Sequence, residues 1–298
     1  MRILGIAQRG TNAGMTRIRD LVQDHIDFDY LEEWQKVDWD SRIHKVGEFD
    51  GIVAQCITHI HPDFRQKTVL FALGSAVRRI LSKPTLQQSL KDQPLKAVWT
   101  NNNTSAKALQ AVGVDAKVMY RANHVIVPET CPPVPSNRFI LWYAADFNGC
   151  LKPLKAKSKA VIGALKETGI KVFVFPHQQG WSCDRGHAIA LGKINIQEVL
   201  PTVHGMVRFG ELGDFGRVNY DVVAHGKWVL NHNVDEPWME SVDPEASVED
   251  IVQQIVTLVD EDEEEERMDR YFYAQQHFTT EAMTEKWVGE LKKLFGKT

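Results

Sequence analysis

The sequence lacks several features that define common protein classes. No apolar run approaches the roughly 18 residues that a membrane-spanning helix requires, and the apolar segment at residues 1–6 is too short for a signal peptide. The four cysteines form no C-x-x-C pair, so their spacing predicts neither a disulfide framework nor a structural zinc site. A G-x-G-x-x-G fingerprint is also absent, which argues against hydride transfer with a dinucleotide. We therefore expect a cytoplasmic protein without a membrane anchor.

Charge is distributed unevenly along the chain. The formal net charge is only −4, but residues 51–128 hold ten Lys or Arg against three Asp or Glu, whereas residues 235–298 hold six against eighteen. A basic middle segment suits phosphorylated ligands or a polyanionic partner. Solvated helix faces are the alternative explanation for the same charges.

Apolar strands alternate with amphipathic helices along the whole chain, which is typical of parallel sheets covered on both faces. Residues 2–7, 28–32 and 51–55 resemble strands, and residues 68–81 resemble one helix with an apolar side. A proline-rich segment, 128–135, interrupts the alternation before it restarts at residue 139. The pattern predicts an α/β protein with two domains joined near this segment.

The segment from Gly213 to Val229 is the most informative part of the sequence. It follows an apolar strand, makes a tight turn at Phe215-Gly216, and continues as a helix that Gly226 ends. A helix that begins at such a turn offers backbone amides to a diphosphate. Asp221, one turn into the helix, could accept hydrogen bonds from a ribose or a sugar hydroxyl pair. The alternative is an ordinary turn, helix and strand of a doubly wound sheet.

This segment resembles the donor-binding motif of retaining glycosyltransferases with the GT-B fold, in particular those of family 4. The family pattern is E-x-F-G, four residues, then E-A-x-A-x-G-x-P-V, and the residues that match it are Phe215, Gly216, Ala224, Gly226 and Val229. The resemblance implies two Rossmann-like domains that face each other across a cleft. Residues 1–130 would form the acceptor-side domain, residues 136–278 would bind the nucleotide-sugar donor, and the helix at 279–298 would pack back toward the first domain.

Two departures from the family pattern affect the donor site. Asp221 takes the place of the second Glu, which in the family holds the nucleotide ribose. The first Glu falls on Gly213, so Asp214 or Glu211 would have to hold the sugar hydroxyls. Trp228 stands where the family has Pro. The motif therefore predicts a nucleotide-sugar site without defining the sugar.

The leaving diphosphate requires positive charge, and the resemblance implies where it would come from. Lys152 falls at the family's Lys position after the first strand of the second domain, but Asp146 stands where an Arg is expected. The candidates to supply the missing charge are Arg185, Arg208 and Arg217. In the first domain, Gly10 and Gly14 follow the first strand, in a loop that the resemblance places over the donor phosphates and the acceptor.

His59 and His61 lie just beyond the third strand, on the side where parallel sheets place ligands. Either imidazole could orient or deprotonate an acceptor hydroxyl. Together with Cys56 they form too loose a pattern to predict a zinc site. We expect no metal and no required cofactor, with a nucleotide-diphosphate sugar, UDP-sugar favoured, as the co-substrate.

The acceptor that we favour from the sequence is a hydroxymethylated pyrimidine in DNA. Its support is the basic segment, in particular Arg65, Lys67, Arg78 and Arg79, and a resemblance of residues 1–16 to phage DNA glucosyltransferases. A phage-encoded enzyme would act in the host cytoplasm. A saccharide, a protein or a small metabolite is the alternative acceptor. A nucleotide-sugar 2-epimerase of the same fold and a nucleic-acid-binding module without catalysis are the alternative functions.

Overall fold

A computed structural model describes residues 1–6, 13–31, 46–57, 60–122, 125–143, 152–175, 187–191, 195–209, 216–232, 235–243 and 245–296. The chain forms two compact units, each built around a parallel six-stranded sheet. The first unit holds the described residues up to 122 and the C-terminal segment from Thr280, and the second holds those between Val125 and Thr279. The predicted α/β class with two Rossmann-like sheets is confirmed.

The first unit contains a sheet with the strand order β2-β1-β3-β4-β5-β6. Its strands are β1 (Arg2–Ile6), β2 (Asp27–Leu31), β3 (Gly51–Ala54), β4 (Thr68–Ala72), β5 (Ala97–Thr100) and β6 (Lys117–Val118). Four of its helices are α1 (Ala13–Val22), α2 (Gly74–Leu81), α3 (Pro84–Asp92) and α4 (Asn103–Ala111). The central strands are almost entirely buried, as expected for a parallel sheet with covered faces.

The prediction of one helix over residues 68–81 is wrong. Thr68–Ala72 forms the central strand β4, buried along its whole length, and the helix α2 begins only at Gly74. A short run of apolar residues suits a fully buried strand as well as a helix, so periodicity alone could not separate the two. Helix α3 was not predicted from the sequence. It begins with Pro84, at a position where helices tolerate proline.

The C-terminal helix α10 (Thr280–Phe295) belongs to the core of the first unit. The indole of Trp287 is 1% exposed and meets the rings of Phe71 and Trp99 edge-on, with centroid distances of 5.3 and 5.5 Å. Its Nε1 donates a hydrogen bond of 3.1 Å to the carbonyl of Tyr120. Burial of a large aromatic ring with its polar atom paired fixes this helix against the sheet.

The second unit contains a sheet with the strand order β12-β11-β10-β7-β8-β9. Its strands are β7 (Phe139–Tyr143), β8 (Lys171–Phe175), β9 (Ala188–Ala190), β10 (Gly205–Arg208), β11 (Trp228–Asn231) and β12 (Glu240–Ser241). The helices are α5 (Lys152–Ala164), α6 (Ile196–Val199), α7 (Arg217–Ala224), α8 (Val248–Asp260) and α9 (Glu264–His277). Apolar residues of β7, β8, β10, β11, α5 and α8 share one buried cluster on one face of the sheet.

Trp228 has a packing role that explains its presence in the motif. It pairs in register with Gly205 of β10, and a Cβ atom at Gly205 would lie 2.1 Å from the indole ring. The ring therefore occupies space that only a glycine leaves open. Substitution of a β-branched residue at position 205 would require a shift of β10 against β11.

The proline-rich segment is held against α9 by hydrogen bonds to its carbonyl groups. Tyr271 Oη donates to the carbonyl of Pro128 at 2.7 Å, and the guanidinium of Arg267 donates to that of Pro132. Such bonds satisfy carbonyls in a segment whose prolines supply no backbone donors. The segment is therefore part of the second unit.

Candidate functional site

Three strands of the second sheet end in a row of polar or aromatic side chains. Arg208 of β10 pairs in register with Asn231 of β11, and the Arg208 guanidinium lies 4.5 Å from the ring centroid of Tyr143, the last residue of β7. The row lies at the carboxyl end of parallel strands, where open α/β sheets bind ligands. Side chains alternate between the faces of a sheet, so these three lie on the face opposite the apolar cluster that contains Trp142, Val207 and Leu230.

Arg208 is the buried cation of this row. It is only 2% exposed, and its Nη1 lies 2.6 Å from the point where a Cβ atom of Gly216 would stand. Any larger residue at position 216 would therefore displace the guanidinium. A buried guanidinium at the carboxyl end of a sheet is suited to an anionic group such as a phosphate, because the surrounding medium screens its charge weakly.

Helix α7 begins beside Arg208. Gly216 is its N-cap, with φ −94° and ψ 166°. No side chain in the described part of the chain caps the helix start, and the first turn contains no acidic residue. The helix dipole and the first-turn amides favour an anion at this end. Arg208 and the start of α7 thus direct positive potential to one point.

Asp221 lies in the middle of α7 and not at its exposed start. Its side chain is 1% exposed, and one carboxylate oxygen lies 3.4 Å from Nε of Arg217, one turn earlier. The Asp221 carbonyl also contacts Nδ1 of His225 at 2.8 Å, and burial lowers the pKa of that imidazole. The ion pair with Arg217 gives Asp221 a contact within α7, and its contact with a ribose stays a prediction.

Two further predicted donor residues lie at ends of elements. Lys152 is the first residue of α5, the helix that follows β7. Gly14 lies in α1, and a Cβ atom there would stand 2.3 Å from Nε2 of Gln55, which directly follows β3. Gly14 therefore brings α1 close to the carboxyl end of the first sheet. Six further predicted residues lie outside the described residues: Gly10, His59, Arg185, Glu211, Asp214 and Phe215.

His61 has a local structural contact. Its Nδ1 accepts a hydrogen bond of 3.3 Å from the backbone N–H of Asp63 and so caps a short 3₁₀ helix, Pro62–Lys67. The imidazole ring also lies 5.8 Å from the Phe64 ring. Among the described residues, no group of three or more His, Cys, Asp or Glu side chains could hold a metal ion.

Two of the four predicted nucleic-acid-binding residues donate their side-chain hydrogen bonds to the protein's own backbone. The Arg65 guanidinium donates to the carbonyls of Ser89 and Gln93 at 2.9 and 2.8 Å, and Lys67 Nζ donates to that of Phe49 at 2.9 Å. Burial lowers the pKa of both groups. The positive charge of Arg65 and Lys67 in the sequence did not show that these side chains would donate hydrogen bonds to backbone carbonyls of other segments.

Arg78 and Arg79 differ from Arg65 and Lys67 because both are exposed on α2. Nη1 of Arg79 lies 3.9 Å from the Sγ atom of Cys56. The exposed positive charge of the set is therefore confined to these two arginines.

Sequence reasoning missed Tyr143 and Asn231 as members of the site. The available signal was that β7, β10 and β11 each end an apolar run with a residue that can hydrogen bond. Register then places such residues side by side, because parallel strands share one carboxyl edge.

No family model matches the sequence, and no curated protein matches it. Solved structures do match. HepE of Anabaena in complex with UDP-glucose shares 16% sequence identity, with a TM-score of 0.64 over 98% of this chain and 100% of HepE. The apo lipopolysaccharide outer core galactosyltransferase WaaB shares 12% identity, with a TM-score of 0.69 over 98% and 99% of the two chains. WaaG, a glycosyltransferase involved in lipopolysaccharide biosynthesis, shares 10%, with a TM-score of 0.60 over 99% and 100%.

These similarities establish the fold. WaaB and WaaG are glycosyltransferases by name, and these two proteins and HepE each match at least 98% of this chain. The chain therefore has the GT-B fold. In the described part of the chain, no helix is both long and apolar enough to cross a membrane.

Proposed function

We propose that the chain is a glycosyltransferase that transfers a sugar from a nucleotide-diphosphate donor, with UDP-sugars favoured. The observation that carries the proposal is the buried Arg208 beside the uncapped start of α7, at the carboxyl edge of a sheet. The fold adds support, since HepE shares it over nearly its full length and its structures contain UDP-glucose or UDP and glucose.

The chemistry follows from the charge of the leaving group. As the bond between the sugar and the diphosphate breaks, negative charge increases on the phosphate oxygens. Arg208 and the α7 amides would bind that charge more strongly in the transition state than in the bound donor, which is the condition for catalysis. Lys152 would add a second cation. Retention of configuration is part of the proposal and rests on the family resemblance of the motif.

The remaining predicted residues have assigned roles in this proposal. Asp221 would hold the ribose, and Glu211 or Asp214 would hold sugar hydroxyls. Gly10 and Gly14 would bind the donor, as the family resemblance implies, Phe215 and Gly216 would form the turn before α7, and His59 or His61 would orient the acceptor.

A saccharide is now the better supported acceptor. Part of the support for the DNA hypothesis was a set of four basic residues, and two of them, Arg65 and Lys67, donate hydrogen bonds to backbone carbonyls of the protein itself. WaaB, a neighbour in fold, is a lipopolysaccharide galactosyltransferase by name. A hydroxymethylated pyrimidine remains the acceptor to be excluded, with Arg78 and Arg79 as the residues that would contact DNA phosphates. The epimerase alternative is not favoured, because the named neighbours are glycosyltransferases.

The donor is tested by thermal denaturation with UDP, GDP or ADP. A ligand that binds only the native state stabilises it in proportion to the logarithm of its concentration, by about 2.7 kcal/mol at one hundred times its Kd. We expect UDP to raise the melting temperature more than GDP or ADP. Equal melting temperatures with all three nucleotides and with buffer would contradict the proposal.

The acceptor is tested with radiolabelled UDP-glucose and three acceptors: neutral oligosaccharides, DNA with hydroxymethylcytosine, and DNA with hydroxymethyluracil. We expect label in an oligosaccharide. Label in either DNA, reduced by Arg78→Gln with Arg79→Gln and by added salt, would establish the DNA acceptor instead.

A further inference from the structure

Asn231, in the row at the carboxyl edge of the second sheet, has an amide that the fold leaves unsatisfied. The side chain is 1% exposed. Among the described residues, neither its Oδ1 nor its Nδ2 has a hydrogen-bond partner. A buried amide without partners destabilises a protein, so such groups are rare in native folds. A group of this kind, adjacent to Arg208, indicates a position prepared for a ligand.

Asn219 shows the same property from the opposing helix. It is completely buried, and both atoms of its amide likewise have no partner within the described parts of the chain. Asn219 and Gly216 are three residues apart in α7 and so share one face of the helix. Gly216 faces the Arg208 guanidinium. Two unsatisfied amides therefore belong to elements that adjoin Arg208, one to the paired strand β11 and one to α7, whose N-cap Gly216 lies against the guanidinium.

The chemistry of an amide identifies the ligand group. A phosphate oxygen only accepts hydrogen bonds, and Arg208 with the backbone amides supplies donors for it. An amide side chain both donates and accepts, and a sugar hydroxyl does the same. Two amides beside a phosphate-binding cation thus match a hydroxyl-rich group attached to a phosphate.

We propose that Asn231 and Asn219 bind hydroxyl groups of the transferred sugar. This inference rests on the proposed function, and it assigns the sugar recognition that the motif leaves open where Gly213 replaces a glutamate. Both amides are buried, so the sugar reaches them only after neighbouring side chains rearrange. The association rate constant is therefore below the diffusion limit.

The test compares UDP-glucose with UDP, by calorimetric titration of the parent protein, Asn231→Leu and Asn231→Asp. Leucine keeps the branched shape and the number of heavy atoms but is bulkier and has no polar atoms, and aspartate keeps the shape but loses the donor. We expect the preference for UDP-glucose over UDP to fall at least tenfold in Asn231→Leu, while UDP affinity stays within about threefold of the parent. The ligand-free melting temperature should stay equal or rise, because the unsatisfied amide is gone.

The control is Ser105→Ala in α4 of the first unit. Ser105 is also fully buried, its side-chain oxygen has no partner among the described residues, and it belongs to the first unit rather than to the sheet that holds Asn231. This control should leave both affinities unchanged. If Asn231→Leu fails to fold, loss of the preference in Asn231→Asp supports the inference equally.

A parent-like preference for UDP-glucose in a folded Asn231 variant would overturn the inference and leave the proposed function intact. An equal loss of UDP and UDP-glucose affinity would overturn it as well, since Asn231 would then support the nucleotide or the fold. If the parent protein binds neither ligand, the preference for UDP-sugars fails, and if GDP and ADP also leave its melting temperature unchanged, the proposed function itself fails.

Discussion

Lys227 is a buried lysine whose removal should stabilise the protein. It follows Gly226 at the end of α7, and its side chain is completely buried. Burial, with a contribution from the nearby positive charge of Arg267, lowers the pKa of its ammonium from 10.5 to about 8. The hydrogen bond from Nζ to the carbonyl of Pro133 is long, at 3.5 Å. The folded protein therefore keeps this charge at a cost whenever the pH is below 8.

The pKa difference sets the size of the effect. A shift from 10.5 to about 8 corresponds to an upper bound of about 3 kcal/mol between the charged and neutral forms. Relaxation and water penetration reduce such penalties, so we expect Lys227→Met to raise the free energy of unfolding by about 1–2 kcal/mol at pH 7.

The pH dependence has a definite sign. Between about pH 8 and 10.5, the unfolded chain binds a proton at Lys227 that the folded protein has released, so the stability of the parent rises with pH in this window. Below pH 8 both states are protonated and the cost is constant. The advantage of Lys227→Met should therefore shrink as the pH rises from 8 to 10.

Urea denaturation of parent and variant at pH 7 and pH 10 measures this difference. Lys159→Met, on an exposed position of α5, is the control and should change stability by less than about 0.5 kcal/mol at either pH. A Lys227→Met variant that is less stable than the parent at pH 7 would refute the reasoning. So would an advantage that does not change with pH.

Three further predictions concern glycines and the C-terminal helix. Gly226→Ala should destabilise the protein by about 1–3 kcal/mol in urea denaturation, because φ is +71° and the new Cβ would lie 2.7 Å from Sγ of Cys131. Its control is Gly163→Ala in a helix, where the new Cβ meets open space. This control should stabilise the protein by about 0.5–1 kcal/mol. Trp287→Ala should cost about 3–5 kcal/mol, and an unchanged denaturation midpoint would contradict the assignment of α10 to the first core. Gly216→Ala should leave the melting temperature within a few degrees of the parent's, since φ is −94°. It should weaken UDP binding at least threefold in calorimetry, because the new Cβ displaces the Arg208 guanidinium. Parent-like binding would show that Arg208 does not contact the nucleotide.

The sequence was sufficient to predict the order of layers. Alternation of apolar strands with amphipathic helices is a local signal, and it identified both sheets and the helix α10. It failed at β4, where Thr68–Ala72 is apolar at every position and carries no period. A strand buried on both faces loses the alternation that would identify it.

The site was less predictable, because register is a property of the assembled sheet. Nothing local relates Asn231 to Arg208, which is 23 positions earlier, until β10 and β11 pair. In the same way, the charge of Arg65 gave no sign of the Ser89 and Gln93 carbonyls that bind it. The turn at Gly216 could be predicted, because a turn before a helix depends on consecutive residues of the sequence.

Calorimetric titration of UDP into the parent protein and Arg208→Gln tests the central claim most directly. If the carboxyl edge of the second sheet binds a nucleotide diphosphate, the parent binds UDP and the variant binds it at least tenfold more weakly, since hydrogen bonds to charged groups contribute about 1.5–3 kcal/mol. Absence of binding in the parent, or equal affinity in both proteins, would contradict the account.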